Sequence, residues 1–552
     1  MATRIVRLTG LALALLTGVA ACADDSPSPA ANRHLYVSTN GNDANPGTQV
    51  APFRTIQKAA DAARRGDTIL VRPGRYPEEV TIRNSGVSFL ATGVESPKVD
   101  GAGVRPFGFD APSDIAVADV TIEGFEVAGQ TGAAIRASGK EHARFRVRNN
   151  RIHHAWEKGI HVSGQGHVIE RNVVYMIGNA QEAMGVFLSG SSDSIVRDNQ
   201  IYLCKKEGIR DFRGRRNRIE DNVVYACWTA LAFNSSEGGV IASNNYLYEN
   251  VMGFNPKHTR GDAGWNCFWH NTVYDSSSWA VGIGINDPPL DYLDIRNNIF
   301  SRSGEAHVYE TPDTNGPHLV LDGNLYHREV DRPALVYMAG RSAKASSLRE
   351  LRERTRYEKE GREDDPLLVD PAHGNLDYGE ASPAARGGVA LDSPRSRQIG
   401  ARGLKQTTPS FFRLPLKAVS ASSNEALMDK TTDNLHHTTW DSGTETANQW
   451  IVYDLGDRRT FRYIVLVPYG HKVEHNVRGF SFDISDDRRQ FTTIVKGTNN
   501  DSGSVFIYEL DVPVSARYLR FNMNDKFPDD GFTWTRNQIK FADIWVGNVA
   551  AN

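Results

Sequence analysis

Asp198-Asn199-Gln200-Ile201, Asp221-Asn222-Val223-Val224 and Asn244-Asn245-Tyr246-Leu247 repeat one pattern: two polar residues ending in Asn, then the start of an apolar alternation. Further copies begin at Asn149, Arg171, His270 and Asn297, so the second-position Asn residues stand at 150, 172, 199, 222, 245, 271 and 298, in steps of 22, 27, 23, 23, 26 and 27. A period of this length marks a solenoid. Each step also holds a Gly-apolar-x-apolar run, as in Gly159-Ile160-His161-Val162 and Gly185-Val186-Phe187-Leu188, with a looser copy at Gly208-Ile209-Arg210-Asp211. Alternation over so few residues makes a short strand with one face in a core, and Gly or Asn at its ends turns the corner. The pattern predicts an all-β chain built on a right-handed parallel β-helix. The recurrent Asn residues are read as an internal ladder, each amide bonding to the backbone of adjacent rungs, rather than as catalytic groups.

The rest of the 552-residue chain is organised around that array. Lys+Arg number 63 against 66 Asp+Glu, so no global basic field invites nucleic acid, and an anionic ligand must be met locally. Residues 1–22 read as an export signal: a basic start, an apolar run from Leu8 to Ala21, and Val19-Ala20-Ala21-Cys22, which fits a lipobox with an acylated Cys22. Ala21-Cys22-Ala23 also fits simple cleavage, so an outer-membrane or cell-surface lipoprotein competes with a secreted or periplasmic protein; the lipid is the expected membrane contact in the first case. Residues 23–32 form a flexible tether, and a monomer is expected. Cys204 and Cys227 each follow a ladder Asn by five residues, which places them on neighbouring rungs as either a disulfide or two buried thiols.

Upstream, Leu35-Tyr36-Val37-Ser38-Thr39-Asn40-Gly41, Ala51-Pro52-Phe53-Arg54-Thr55-Ile56 and Gly66-Asp67-Thr68-Ile69-Leu70-Val71 resemble the opening segment of pectate-lyase-like β-helix proteins. The resemblance implies a capping helix near Thr55–Arg65 and a first rung. Downstream, Asp377-Tyr378-Gly379-Glu380 and Ile399-Gly400-Ala401 resemble the closing rungs of the same superfamily, giving a catalytic domain over 33–402 with a charged, helical insertion from Ser346 to Arg362. After a linker at 403–409, Gln449-Trp450-Ile451, Asp454-Leu455-Gly456 and Ala516-Arg517-Tyr518-Leu519-Arg520-Phe521 resemble discoidin-type jelly rolls and family 32 carbohydrate-binding modules over 410–552.

A β-helix offers a shallow groove along one stacked sheet, a shape that suits a linear polymer. Counting from the Gly-apolar runs, the outward column is His161, Phe187, Arg210, Ala232 and Asn255, and the next is Ser163, Ser189, Asn234 and Lys257. Cleaving a uronan by β-elimination needs a base and a cation beside the carboxylate. The densest cationic stretch, Lys205 to Arg216, includes Lys206, Arg210 and Arg213 together with the carboxylates Glu207 and Asp211, and faces Lys257 and His258 two rungs on. This rung resembles family 9 polysaccharide lyases, whose base is a Lys at the position held here by Arg210. Arginine holds its proton above about pH 12. Arg210 is therefore assigned to the uronate carboxylate, with Lys206, Lys257, His161 and His258 as candidate proton acceptors and Arg213, Asn234, Asn255, Glu207 and Asp211 as substrate contacts. The family's Asp-Asp-Gly-x-Asp cluster for catalytic Ca²⁺ is replaced by Ala183-Met184-Gly185-Val186-Phe187.

In the second domain, Asp429 and Asp433, with Asp543, resemble a structural Ca²⁺ loop of discoidin modules, and His436, His475 and Trp534 are candidate sugar contacts. The predicted function is an exported polysaccharide lyase acting on an acidic polysaccharide. A glycoside hydrolase using Glu207 with Asp211 or Glu182, a uronan epimerase and a non-catalytic surface carbohydrate-binding protein are the competing readings.

Overall fold

The structure, a computed structural model, describes residues 32–178, 182–284, 291–310, 318–328, 335–338, 343–391, 393, 395–404, 411–436, 438–468, 476–499, 504–527 and 538–549. Each rung supplies one strand to each of three stacked sheets of twelve strands. Sheet I starts with His34–Val37, sheet II with Arg75–Tyr76 and sheet III with Val80–Thr81. Pairing is parallel throughout except for the last pair of sheet III, Val336–Met338 with Ala343–Ala345.

The Gly-apolar runs are strands of sheet III. Ile160, Val186, Ile209, Leu231 and Phe254 pair in succession and are all buried, which makes them one inward column of the core. Their glycines are set by packing: a Cβ on Gly159 would lie 2.5 Å from the carbonyl oxygen of Gly185 on the next rung, and one on Gly185 would lie 2.6 Å from that of Gly208.

The corner between sheets I and II holds the Asn ladder. From Asn172 onward each amide oxygen accepts from the backbone N–H and the amide of the preceding Asn, as Asn222 Oδ1 does from Asn199 at 3.1 and 3.0 Å. Each amide nitrogen also reaches back to a carbonyl, that of Asn222 to Val196 at 2.9 Å. The column runs from Asn150 through Asn298 and takes in Asn324, one rung beyond the repeat read from the sequence. It ends on Glu358, which accepts from Asn324 Nδ2 at 2.6 Å and Tyr326 O–H at 2.7 Å, while complete burial pushes its carboxyl up to about 7.

Helix α1 (Ile56–Ala62), N-capped by Thr55, covers the first rungs with Ile56, Ala59 and Ala60. The charged insertion is helical only over α2 (Leu348–Arg354); past its Thr355 cap the chain turns to bring Glu358 under the ladder. The last rung strand is Arg362–Glu363. Residues 395–404 then run back across several rungs as a strap: Gly400 N–H donates to the Asn297 carbonyl, Ala401 N–H to Thr272 Oγ1, and Arg402 N–H to Asn244 Oδ1. Cys204, Cys227 and Cys267 are free, buried thiols.

The C-terminal domain is an antiparallel sandwich, dominated by the long strands Ala447–Val467 and Phe506–Asp525. It is docked on the outward face of sheet II, where Tyr175, Tyr202, Tyr225 and Tyr248 stack with ring centroids 5.1, 4.9 and 4.8 Å apart. Phe411, Tyr463, Val465, Val467 and Trp545 close over these rings to form one buried cluster. Arg413 lies 3.6 Å over the Trp545 ring and pairs with Glu249 of the β-helix.

Candidate functional site

The register of sheet III places Arg136, His161, Phe187, Arg210, Ala232 and Asn255 in one column, while Met252, Trp279 and Ala306 of the same sheet join the buried cluster under the sandwich. The predicted outward column is therefore the observed one. The neighbouring column holds Ser189, Phe212, Asn234 and Lys257; the irregularity between Val162 and Gly164 takes Ser163 out of strict register with Ser189.

Arg210 stands at the centre. Its Nη1 is 3.4 Å from Glu182 Oε2 and 3.9 Å from Glu207 Oε1, and its guanidinium carbon is 5.7 Å from the ring centroids of both Phe187 and Phe212. With only 16 % of the side chain exposed, the cation is held between two aromatic rings and two carboxylates. Burial raises the pKa of Glu207, and the positive charges of Arg210, Lys257 and Lys206 pull against that rise. The structure thus gathers Lys206, Glu207, Arg210 and Lys257 into one electrostatic cluster, with Glu182 on its exposed side. Arg213, exposed, lies 5.0 Å over the Phe212 ring, and Asn234 pairs in register with Lys257.

Other candidates are placed differently. His161 is two strands from Arg210, its ring tilted 34° to that of Phe187 at 4.9 Å, and burial depresses it to about 3, so the ring is neutral. His258 ends the Met252–Lys257 strand in a left-handed turn with φ 49°. Asn255 belongs to the outward column but is 4 % exposed. Asp211 is not on the groove: alternation after the outward Arg210 turns it inward, where it is fully buried, accepts from Asn217 Nδ2 at 2.7 Å and is pushed up to about 7 by desolvation. This removes it as a substrate contact and as the partner of Glu207 in hydrolysis.

In the sandwich, His436 is fully buried against Trp545, with ring centroids 5.0 Å apart, and its backbone N–H donates to Asp275 of the β-helix. It belongs to the domain junction rather than to a sugar-binding loop. Asp543 is equally buried, its Oδ2 3.6 Å from His436 Nε2. Asp433 accepts from Thr438 Oγ1 with both oxygens, and the Asp429 carbonyl accepts from Thr432 N–H. Among the described residues no group of three His, Cys, Asp or Glu side chains converges on a common metal position, either here or near Ala183–Phe187. The residues do not fit a catalytic calcium cage, which needs about six to eight oxygens. His475 and Trp534 lie outside the described residues.

Sequence reading missed Lys158, which opens the strand carrying His161 and lies 5.7 Å from the Phe187 ring. It also missed Phe212, one position beyond the inward Asp211. Period-two counting outward from Arg210 carries the signal for both Phe212 and Asp211.

Three families match parts of the chain: a Pel9A-like, right-handed β-helix region over residues 35–178, a right-handed β-helix region over 113–275, and an F5/8 type C domain over 415–537. A curated protein, "Uncharacterized protein YwoF" of Bacillus subtilis (strain 168), is 24 % identical over 444 residues, covering 64 % of this chain and 92 % of its own. Among solved structures, CpGH89CBM32-5 from Clostridium perfringens, in complex with GalNAc-β-1,3-galactose, is 22 % identical at a TM-score of 0.22 and covers 24 % of this chain and 99 % of its own. The structure of XylC with xylose is 13 % identical at a TM-score of 0.43, covering 92 % of this chain and 100 % of its own.

Proposed function

From a chain that joins a Pel9A-like β-helix region to an F5/8 type C domain, we propose an exported polysaccharide lyase that cleaves a uronate-containing polymer by β-elimination on sheet III. The observation that carries this reading is Arg210, in the outward column of sheet III and 3.9 Å from Glu207, with the positive charge of Lys257 acting on the same carboxylate. The uronate carboxylate meets Arg210 and Lys257, which stabilise the charge that develops when the adjacent C–H proton leaves. The electron pair of that bond forms the C4–C5 double bond, the bond to the O4 leaving group breaks, and the departing oxygen takes up a proton. Lys206 and His258 remain in the pool of acceptors; Lys257, held as a cation on the carboxylate, and His161, depressed to about 3 and two strands away, leave it. Glu207 joins it on geometry, because it lies 3.9 Å from Arg210 on the same strand and burial raises its proton affinity.

A second reading has its own observation. Glu207, with a raised pKa, and Glu182, on the exposed side of Arg210, could act as the acid and base of a glycoside hydrolase. Ultraviolet absorbance on a panel of uronans separates the two. A rise reports the unsaturated uronate expected here, whereas new reducing ends without absorbance support hydrolysis and refute the lyase. We also propose that export proceeds with acylation of Cys22; an unmodified mature N-terminus at Asp24 in mass spectrometry rules this out.

A further inference from the structure

We propose that Trp156 and Trp265 are the end platforms of one diagonal carbohydrate path across sheet III, each stacking on a pyranose face, with Arg210 midway between them. The proposal rests on sheet III being the face that meets substrate, but not on the lyase chemistry. Among the described residues, Trp156 (39 % exposed) and Trp265 (38 %) are the tryptophans that rank as exposed large apolar side chains. They stand at opposite corners of the same sheet: Trp156 precedes the Lys158–Gln165 strand and Trp265 follows the Met252–Lys257 strand. Those strands are four steps apart in the sheet, with Glu207–Phe212 in the middle, and at about 4.8 Å per step the platforms are separated by roughly 19 Å along the solenoid.

The route between them is continuous. From Trp156 it meets Lys158, then Phe187, Arg210, Phe212 and Lys257, stepping sideways along the strand direction as it climbs. Cations thus alternate with aromatic faces, the complement of a chain whose rings have apolar faces and carry carboxylates.

The corner bearing Trp265 is built differently from the same corner on earlier rungs. There the column holds ion-paired charges: Arg144 with Asp119 at 2.6 Å, and Arg216 with Asp193 at 2.6 Å. At its last positions it holds three rings, Trp265, Tyr292 and His318, one rung apart by register, with His318 paired to Asp291. Tyr292 stacks on His318 with centroids 4.0 Å apart, and Trp265 stands edge-on to Tyr292 at 5.6 Å. Gly261 lies so close to the tyrosine that a Cβ there would be 2.3 Å from ring atoms, and Tyr292 keeps the left-handed φ that this corner also has at Asp119, Arg144, Asp193 and Arg216. The ring pair of Tyr292 and His318 thus braces the indole of Trp265, which stays exposed.

Binding of tri- and octasaccharides of galacturonate and of mannuronate to the full chain is the test, measured by titration calorimetry with Arg210 intact and, as a check against turnover, in the slowed Arg210→Ala background. Trp156→Ala and Trp265→Ala are each expected to weaken octamer binding about tenfold, as loss of a ring-stacking platform does for other planar ligands, and to leave trimer binding within twofold. Trp265→Phe should restore most of the loss, and Arg216→Ala, on the same corner, should cost nothing. Octamer affinity within twofold of the parent in both tryptophan variants overturns the proposal, as does an octamer of either uronate that fails to bind the parent. If tryptophan-dependent binding is found but no uronan yields unsaturated product, the path stands and the lyase reading falls.

Discussion

Arg210→Ala should fold normally and lose about two to three orders of magnitude in turnover on the accepted uronan, the typical cost of deleting one preorganised donor to a developing anion. The guanidinium lies between two rings and two carboxylates, so it is fixed before substrate arrives. Arg215→Ala, an exposed change in the following turn, is the control and should alter mainly binding and its salt dependence. Thermal unfolding checks that each variant is native. Near-parental turnover in a folded Arg210→Ala protein means that the chemistry lies elsewhere. Arg210→Lys separates two roles. A lysine can supply charge but not the two-pronged contact, so partial activity is expected; activity at or above the parent's would show that this position can take the proton as well.

The second large effect is on stability. Asn222→Leu preserves approximate volume but deletes an amide that accepts twice from Asn199 and donates to Val196, Glu220 and Asn245. Asn199 N–H and the Val196 carbonyl are then buried without their partner, at about 1–3 kcal/mol for each group. A loss of about 3–5 kcal/mol is expected from urea unfolding of the β-helix, against less than about 0.5 kcal/mol for the exposed Arg218→Ala. A loss below about 1 kcal/mol would show that the ladder is dispensable.

The ladder was also the most legible part of the sequence, because a buried polar residue that recurs on every rung cannot be mistaken for ordinary surface. The outward column followed from the same alternation, and Arg210 with it. Asp211 was misassigned because it was taken with a charged run rather than by its phase in the strand. The strap at 395–404 left no periodic signal, since its bonds reach Asn297, Thr272 and Asn244, each about a hundred or more residues away. His436 was unreadable for a related reason: a histidine on a loop and a histidine sealed under another domain look identical until the docking is known. The platform at Trp265 depends on Tyr292 and His318 meeting across rungs, which only the register reveals.

The tyrosine ladder beneath the sandwich bears on how such a protein can be recombined. A module joined by a loose tether carries everything it needs on its own surface and can be moved between proteins by copying one segment. Here the underside of the sandwich, with Phe411, Arg413, Tyr463 and Trp545, is completed by Tyr175, Tyr202, Tyr225, Tyr248 and Glu249 of the solenoid. Neither half can be exchanged without leaving the other with a bare aromatic face, so the two segments form a single inheritable unit despite having separate folds.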